Sequence, residues 1–313
     1  MSKSMSMRGL VLVTGGSGYI AGYCIAQLLN DGWSVRTTVR SVAKTKAVRA
    51  SIGNIAPKTS KIEFVEADLN SDAGWDKAVV GAEYVLHVAS PVPVTDPKND
   101  DELVRPARDG TLRVLRGARD AGVKRVVMTS SISAIIFGRG VREKPFTEED
   151  WTDETNRRDT SPYDRAKTIA ERAAWAWLAA EGGGLELVTV NPGLVLGPVL
   201  GSDFSASVEA VKKLLDGSIP ALPRFGFNVV DVRDIARLHV LAMTTLEAAG
   251  ERFAGSGDFY WMSHGSARNA GRSAARVRRS FASVAHPAWL RWRGRMLAPF
   301  HTFDTPRPLG LVH

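Results

Sequence analysis

The 313-residue sequence predicts an α/β fold: a doubly wound parallel sheet with helices on both faces and a smaller C-terminal lobe. Three observations predict it. Through the first 190 residues short apolar runs alternate with longer amphipathic ones, and repeated strand–helix–strand units imply a parallel sheet covered by helices. A glycine-rich turn joins the first strand to the first helix. After Asn191 the alternation breaks down, and Pro192, Gly193, Gly197, Pro198, Pro220 and Pro223 punctuate short elements, as expected of a substrate-binding lobe.

In chain order, Leu10–Val13 reads as a buried strand and Ile20–Asn30 as a helix. Trp33–Val39 is the second strand, ending at Arg40, and Ala43–Ile52 has helix length and composition. Ile62–Glu66, Tyr84–Val88 and Arg125–Thr129 are the third, fourth and fifth strands, with a helix over Leu103–Ala121 before the fifth. A helix from about Ser161 to Ala180 precedes the sixth strand, Leu185–Val190. Asp231–Leu246 reads as a helix that returns to the main domain. The expected organisation is a main domain over residues 1–190, a lobe over 191–263 and an atypical tail over 264–313, with no repeat at a fixed period.

The hydrophobic fraction of 44% and charged fraction of 24% are those of an ordinary globular chain. Cys24 is the one cysteine, so nothing requires an oxidising compartment. No stretch approaches the roughly 20 apolar residues of a membrane helix, and the polar first residues run straight into a strand. No membrane or metal is expected, and the default location is cytoplasmic. The net charge of +8 does not point to nucleic acid, because residues 264–313 hold nine arginines and one acid, Asp304, leaving the rest neutral.

The strongest local signal is Val13-Thr14-Gly15-Gly16-Ser17-Gly18-Tyr19-Ile20-Ala21. After a strand and at the start of a helix, Gly15 permits a tight turn and Gly18 lets the backbone approach a pyrophosphate at the positive helix end, near Tyr19 and Ile20. Ala21 is the third small position, where helix and strand pack closely. This is the Rossmann-type dinucleotide signature. At the end of the second strand, where an NAD site usually has an acid, stands Arg40, with Lys44 and Lys46 behind it. A guanidinium there suits a 2′-phosphate, so NADP(H) is favoured. Asp68 and Leu69 follow the third strand and are placed to reach the adenine edge. Val88, Ala89 and Ser90 end the fourth strand and are small enough to line the cofactor cleft.

Tyr163 and Lys167 are four residues apart in a predicted helix and share one face. A tyrosine with an ordinary pKa near ~10 is a poor proton donor and acceptor at neutral pH, and a nearby ammonium favours its phenolate. The lysine can also hold the nicotinamide ribose. Ser130 and Ser131 close the fifth strand, where a hydroxyl can hydrogen-bond a substrate carbonyl.

The stretches VTGGSGYIAGY, TTVRS, ADL, HVASPV, VVMTSSISAI, PYDRAK, NPGLVLGP and NVVDVRDIARLHVLAM run in order across residues 9 to about 262. Together they resemble the extended short-chain dehydrogenase/reductase family, and within it the dihydroflavonol-reductase, cinnamoyl-CoA-reductase and aldehyde-reductase group. The resemblance implies a catalytic set of Ser131, chosen over Ser130, with Tyr163 and Lys167. It implies cofactor contacts at Gly15, Gly18, Arg40, Asp68, Ala89 and Pro192, with Leu194 in the same stretch, and assigns Asp231 and Asp234 to the start and packing of a helix. Dimers are common in that group, through helices flanking the active site, although no interface is legible here. The run Ser161-Pro162-Tyr163-Asp164-Arg165-Ala166-Lys167 departs from the Asn-Trp-Tyr-Cys-Tyr-Gly-Lys of plant cinnamoyl-CoA reductases. The apolar segment Ile132–Phe137 suggests a hydrophobic aldehyde or ketone as the small-molecule substrate.

The expected activity is reversible, NADPH-dependent reduction of aldehydes or ketones. Alternatives are a sugar-nucleotide epimerase or dehydratase, a hydroxysteroid dehydrogenase, and a non-catalytic NADP-binding protein. The resemblance stops after Gly257–Ser263. Beyond it the tail is rich in Arg, Ala, Ser and Gly, reads as frame-shifted or diverged sequence, and is expected to be poorly ordered.

Overall fold

The computed structural model describes residues 8–56, 59–91, 99–140, 142–201, 205–215 and 226–261. The expectations for the tail over 264–313, and those for Pro220 and Pro223, fall outside the described residues.

The elements follow in order: β1 (Arg8–Val13), α1 (Tyr19–Asn30), β2 (Trp33–Val39), α2 (Thr45–Gly53), β3 (Glu63–Glu66), α3 (Trp75–Val79), β4 (Ala82–His87) and α4 (Asp101–Asp120). Then come β5 (Arg125–Thr129), α5 (Pro162–Glu181), β6 (Glu186–Pro192), β7 (Leu194–Leu196), α6 (Ala206–Leu215), β8 (Gly226–Asp231), α7 (Val232–Thr244), β9 (Arg252–Gly255) and β10 (Phe259–Trp261). Seven strands form one parallel sheet in the order β3-β2-β1-β4-β5-β6-β9, and β10-β8-β7 form a second, three-stranded sheet.

Strand residues alternate between two cores, as the two-residue side-chain period of a strand requires. Val11, Val13, Leu86, Val127, Val188 and Val190 point to the face covered by α1, α2 and α7. Leu12, Val85, Val126 and Leu187 point to the opposite face, covered by α3, α4 and α5. Each fully buried Val or Leu contributes about 1.5–3 kcal/mol, so neither face can be exposed without loss of the fold.

Helix ends are set by local chemistry. At the start of α5, Ser161 Oγ accepts from Asp164 N–H at 3.2 Å while Asp164 Oδ2 accepts from Ser161 N–H at 2.9 Å, a capping box with Pro162 at the first helical position. Asp231 caps α7 by accepting from Arg233 N–H at 2.8 Å. α7 then packs against α1, returning to the main sheet as expected, and β9 adds a further strand beside β6.

The sheet order reverses between β1 and β4. In such a sheet the loops after these two strands diverge and leave a crevice at the carboxyl ends of the strands. Because α5 runs back towards the start of β6, its first turn stands at that same end.

Candidate active site

The crevice begins at the turn after β1. Thr14 is wholly buried, and its hydroxyl accepts the Ala89 N–H at 3.0 Å. The same hydroxyl lies 3.0 Å from His87 Nδ1, and the other ring nitrogen, Nε2, lies 3.5 Å from Thr111 Oγ1. His87 is neutral: burial, and secondarily the charge of Lys167, push its pKa down to about 3.

Gly15 has φ +72°, and a Cβ there would lie 3.0 Å from the Ala89 Cβ. A side chain would be strained in conformation and crowded by the facing strand end. The turn is anchored to β2 by Gly15 N–H to Thr38 Oγ1 and by Gly16 N–H to the Thr38 carbonyl, each at 2.9 Å. Gly18 precedes α1 with no side-chain cap, and the first turn of α1 carries no acid. The amides there are open to a ligand anion, and the helix dipole favours one.

Tyr19 packs edge-on to Tyr23, with ring centroids 5.9 Å apart, and its hydroxyl is buried without a hydrogen-bond partner. Ile20 packs against the α1-side core. A cavity of about 340 Å³ opens beside the turn, lined by Gly16, Ser17, Gly18, Tyr19, Lys44 and Leu200 among others. Arg40, at the end of β2, and Lys44, in the following turn, are both exposed. Bare glycine backbone, an uncapped helix start and a cationic rim fit a dinucleotide, and Arg40 in the place of an acid fits a 2′-phosphate.

The remaining cofactor candidates border the same end of the sheet. Asp68 folds its loop by accepting from Asn70 N–H at 2.8 Å, and its carbonyl accepts from Trp75 Nε1 at 3.0 Å. Leu69 packs against the α4-side core. Val88, Ala89 and Ser90 are part-exposed just past β4. Pro192 is buried at the end of β6, and Leu194 is part-exposed at the start of β7.

The two serines after β5 have different partners. Ser130 Oγ donates to Glu171 Oε2 at 2.5 Å. Ser131 Oγ accepts from Ser133 N–H at 3.1 Å, which leaves its own proton available to a carbonyl oxygen. The turn that Ser131 starts, Ile132–Ala134, packs against α5. Tyr163, in the first turn of α5, is 49% exposed, whereas Lys167, one turn on, is 8% exposed with its Nζ 5.9 Å from the Tyr163 ring centroid. The start of α5 is fixed by Arg165, buried and paired to Asp100 at 2.7 and 2.8 Å. The fold thus brings the loops after β1, β2 and β4 to the end of the sheet that also carries Ser131, Tyr163 and Lys167.

The apolar segment after Ser131 divides between two environments. Ala134 and Ile135 are wholly buried in the core, and only Ile132, Ile136 and Phe137 keep some exposure. Thr14, His87, Glu171 and Asn191 also organise this end, and the sequence reading singled out none of them. Thr14, His87 and Asn191 lie within the VTGGSGYIAGY, HVASPV and NPGLVLGP stretches, at or just past strand ends, which was the available signal; Glu171 had none. Among the described residues no group of three or more His, Cys, Asp or Glu is arranged to hold a metal.

Residues 11–254 match the model of the NAD dependent epimerase/dehydratase family. The chain is 37% identical to tetraketide alpha-pyrone reductase 2 of Arabidopsis thaliana over 255 residues, 80% of this chain and 78% of that protein. It is 35% identical to cinnamoyl-CoA reductase CAD2 of Medicago truncatula over 257 residues, 79% of this chain and 76% of that one. Among solved structures, the yeast methylglyoxal/isovaleraldehyde reductase Gre2 complexed with NADPH superposes with a TM-score of 0.72 at 28% identity, over 81% of this chain and 79% of that one.

Proposed function

Because the chain belongs to the NAD dependent epimerase/dehydratase family, we propose that it is an NADPH-dependent reductase of aldehydes or ketones. The observation that carries this reading is the pairing of Tyr163 with Lys167 one helical turn apart, on the helix that packs against the turn started by Ser131, whose hydroxyl proton is uncommitted. Reductase names among the similar proteins support it.

NADPH, when bound, supplies the hydride that the carbonyl carbon receives. Gly15, Gly18 and the first amides of α1 hold its pyrophosphate, and Arg40 and Lys44 hold the 2′-phosphate. Ser131 donates its hydroxyl proton as a hydrogen bond to the substrate carbonyl oxygen and orients it. Tyr163 gives its proton to that oxygen, completing the alcohol, and recovers one from water, to which its half-exposed ring has access. The Lys167 ammonium favours the phenolate left behind and donates to the nicotinamide ribose. Part-exposed Ile132, Ile136 and Phe137 favour an apolar group on the substrate.

The test is NADPH consumption by the purified protein with aldehydes, ketones and sugar nucleotides. Turnover with carbonyls alone is expected. Tyr163→Phe should retain NADPH binding and lose about 10²–10⁴ in kcat, the usual contribution of a general acid. Undiminished turnover would remove Tyr163 from this role, and conversion of a sugar nucleotide to an isomer or dehydration product, seen by chromatography with no net NADPH consumed, would favour the epimerase reading. The proposal includes a homodimer, the assembly implied by the family resemblance, and a cytoplasmic location. A purely monomeric boundary in sedimentation would remove the first, and fractionation with membranes or secretion would remove the second.

A further inference from the structure

Glu171 lies on α5 one turn after Lys167 and two turns after Tyr163, and it is wholly buried. A buried carboxylate is tolerated only when its lone pairs are answered. Here they are. Oε2 accepts from Ser130 Oγ at 2.5 Å and from Asn191 Nδ2 at 2.8 Å. Oε1 accepts from Arg252 Nε at 2.7 Å and from Thr189 Oγ1 at 3.0 Å, with Trp175 Nε1 at 3.5 Å. Asn191 Nδ2 also donates to the Ser131 carbonyl at 3.1 Å.

One carboxylate therefore ties the helix that carries Tyr163 and Lys167 to β6, to β9 and to the strand end that carries Ser131. Its two oxygens have separate duties. Oε2 holds the Ser130–Ser131 end of β5, directly and through Asn191. Oε1 holds Thr189 and Arg252, whose Nη1 donates to the Asp150 carbonyl at 2.8 Å and whose guanidinium lies 3.7 Å from the centre of the Trp151 ring.

We infer that Glu171 is a positioning residue: through Oε2 it sets the height and rotation of α5 against the end of β5, and so the spacing between the Ser131 and Tyr163 hydroxyls. Ser130 belongs to the same device and is not a substrate contact. The inference rests on the reductase reading for its effect on turnover, but its geometric content is independent of it.

Two substitutions separate positioning from plain stability. Ser130→Ala removes a bond to Oε2, and Thr189→Val, close to isosteric, removes one to Oε1. Ser130→Ala should lower kcat by roughly tenfold or more, on the scale expected when a reacting group is misplaced by about 1 Å, with NADPH affinity unchanged. Thr189→Val should lower the melting temperature at least as much and leave kcat near wild type. The second readout is the resonance of Tyr163 labelled at Cζ, assigned with Tyr163→Phe: it should move in Ser130→Ala and stay in Thr189→Val. If Ser130→Ala does not fold, Ser130→Cys, which keeps the volume and weakens the donor, serves the same comparison. A Tyr163 resonance unmoved by loss of the Ser130 bond, or kcat losses that follow the melting temperature equally in both variants, would overturn the inference. Absence of carbonyl turnover in the wild type, with the resonance still moving, would refute the reductase reading and leave the positioning intact.

Discussion

Acid should weaken this protein well before its carboxylates titrate, because two histidines are buried in neutral form. His239 is wholly buried: its Nδ1–H donates to the Ile235 carbonyl at 2.8 Å, and its Nε2 accepts from Thr129 Oγ1 at 2.7 Å. Burial lowers its pKa to about 4, and that of His87 is lowered to about 3. In the unfolded chain both return to an ordinary value near ~6.5. Below that value the unfolded state binds protons that the folded state refuses, so stability is complete above it and falls as the pH drops towards the folded values. At about pH 5 the mismatch is about 1.5 units per histidine, or about 2 kcal/mol each and about 4 kcal/mol together, at roughly 1.4 kcal/mol per unit. Asp100, held low chiefly by its hydrogen bond from Arg165, keeps its contribution until the pH falls below the ordinary carboxylate range. Asp234, raised by burial, works in the opposite direction and blunts the loss slightly. Urea unfolding at neutral pH and at about pH 5 should show midpoints separated by roughly 1–4 M, given slopes of about 1–3 kcal/mol per M. His239→Gln should remove about half of the difference. Coincident midpoints for the wild type would refute the reasoning.

Two further outcomes concern the nucleotide. Gly15→Val should cost about 1–3 kcal/mol of stability for a side chain at φ +72° against Ala89, and should weaken NADPH binding in titration calorimetry more than it lowers the melting temperature of the free protein. Arg40→Asp should weaken NADPH by about 1.5–3 kcal/mol, the worth of hydrogen bonds to a charged group, while leaving NADH equal or improved. Equal weakening of both nucleotides would take Arg40 away from the 2′-phosphate.

Much of this fold could be read locally. The glycine turn, the uncapped start of α1 and the capping box at Ser161 are all specified within a few residues, and the strands β1 to β6 declared themselves as apolar runs. β9 did not: Arg252, Phe253, Ala254 and Gly255 are too few and too mixed to stand out, and their strand conformation comes from pairing with Thr189–Pro192. β7, three residues long, was equally silent. At the site, Tyr163 and Lys167 were legible because four residues on a helix fix a common face. The network around Glu171 was not. Its partners Ser130 and Arg252 lie 41 and 81 residues away in sequence, and a glutamate in an Ala-rich helix gives no sign of being buried. Thr14 and His87 are 73 residues apart and meet only because β1 and β4 are neighbours. The apolar segment after Ser131 was legible as apolar, but not as divided between core and crevice.

The ion pair between Glu171 and Arg252 also bears on how the molecule is made. Arg252 leaves the ribosome 81 residues after Glu171. A nascent chain that has completed β1 to β6 therefore holds a carboxylate with no cation to accompany it into a dry interior, and burying it alone would cost several kcal/mol. That corner is expected to stay hydrated until β9 docks, when the last strand of the sheet both seals the edge and adds the Arg252 cation to the neutral donors of Ser130, Thr189 and Asn191. Synthesis stalled before β9 would leave a sheet that is largely assembled around a working end that is not.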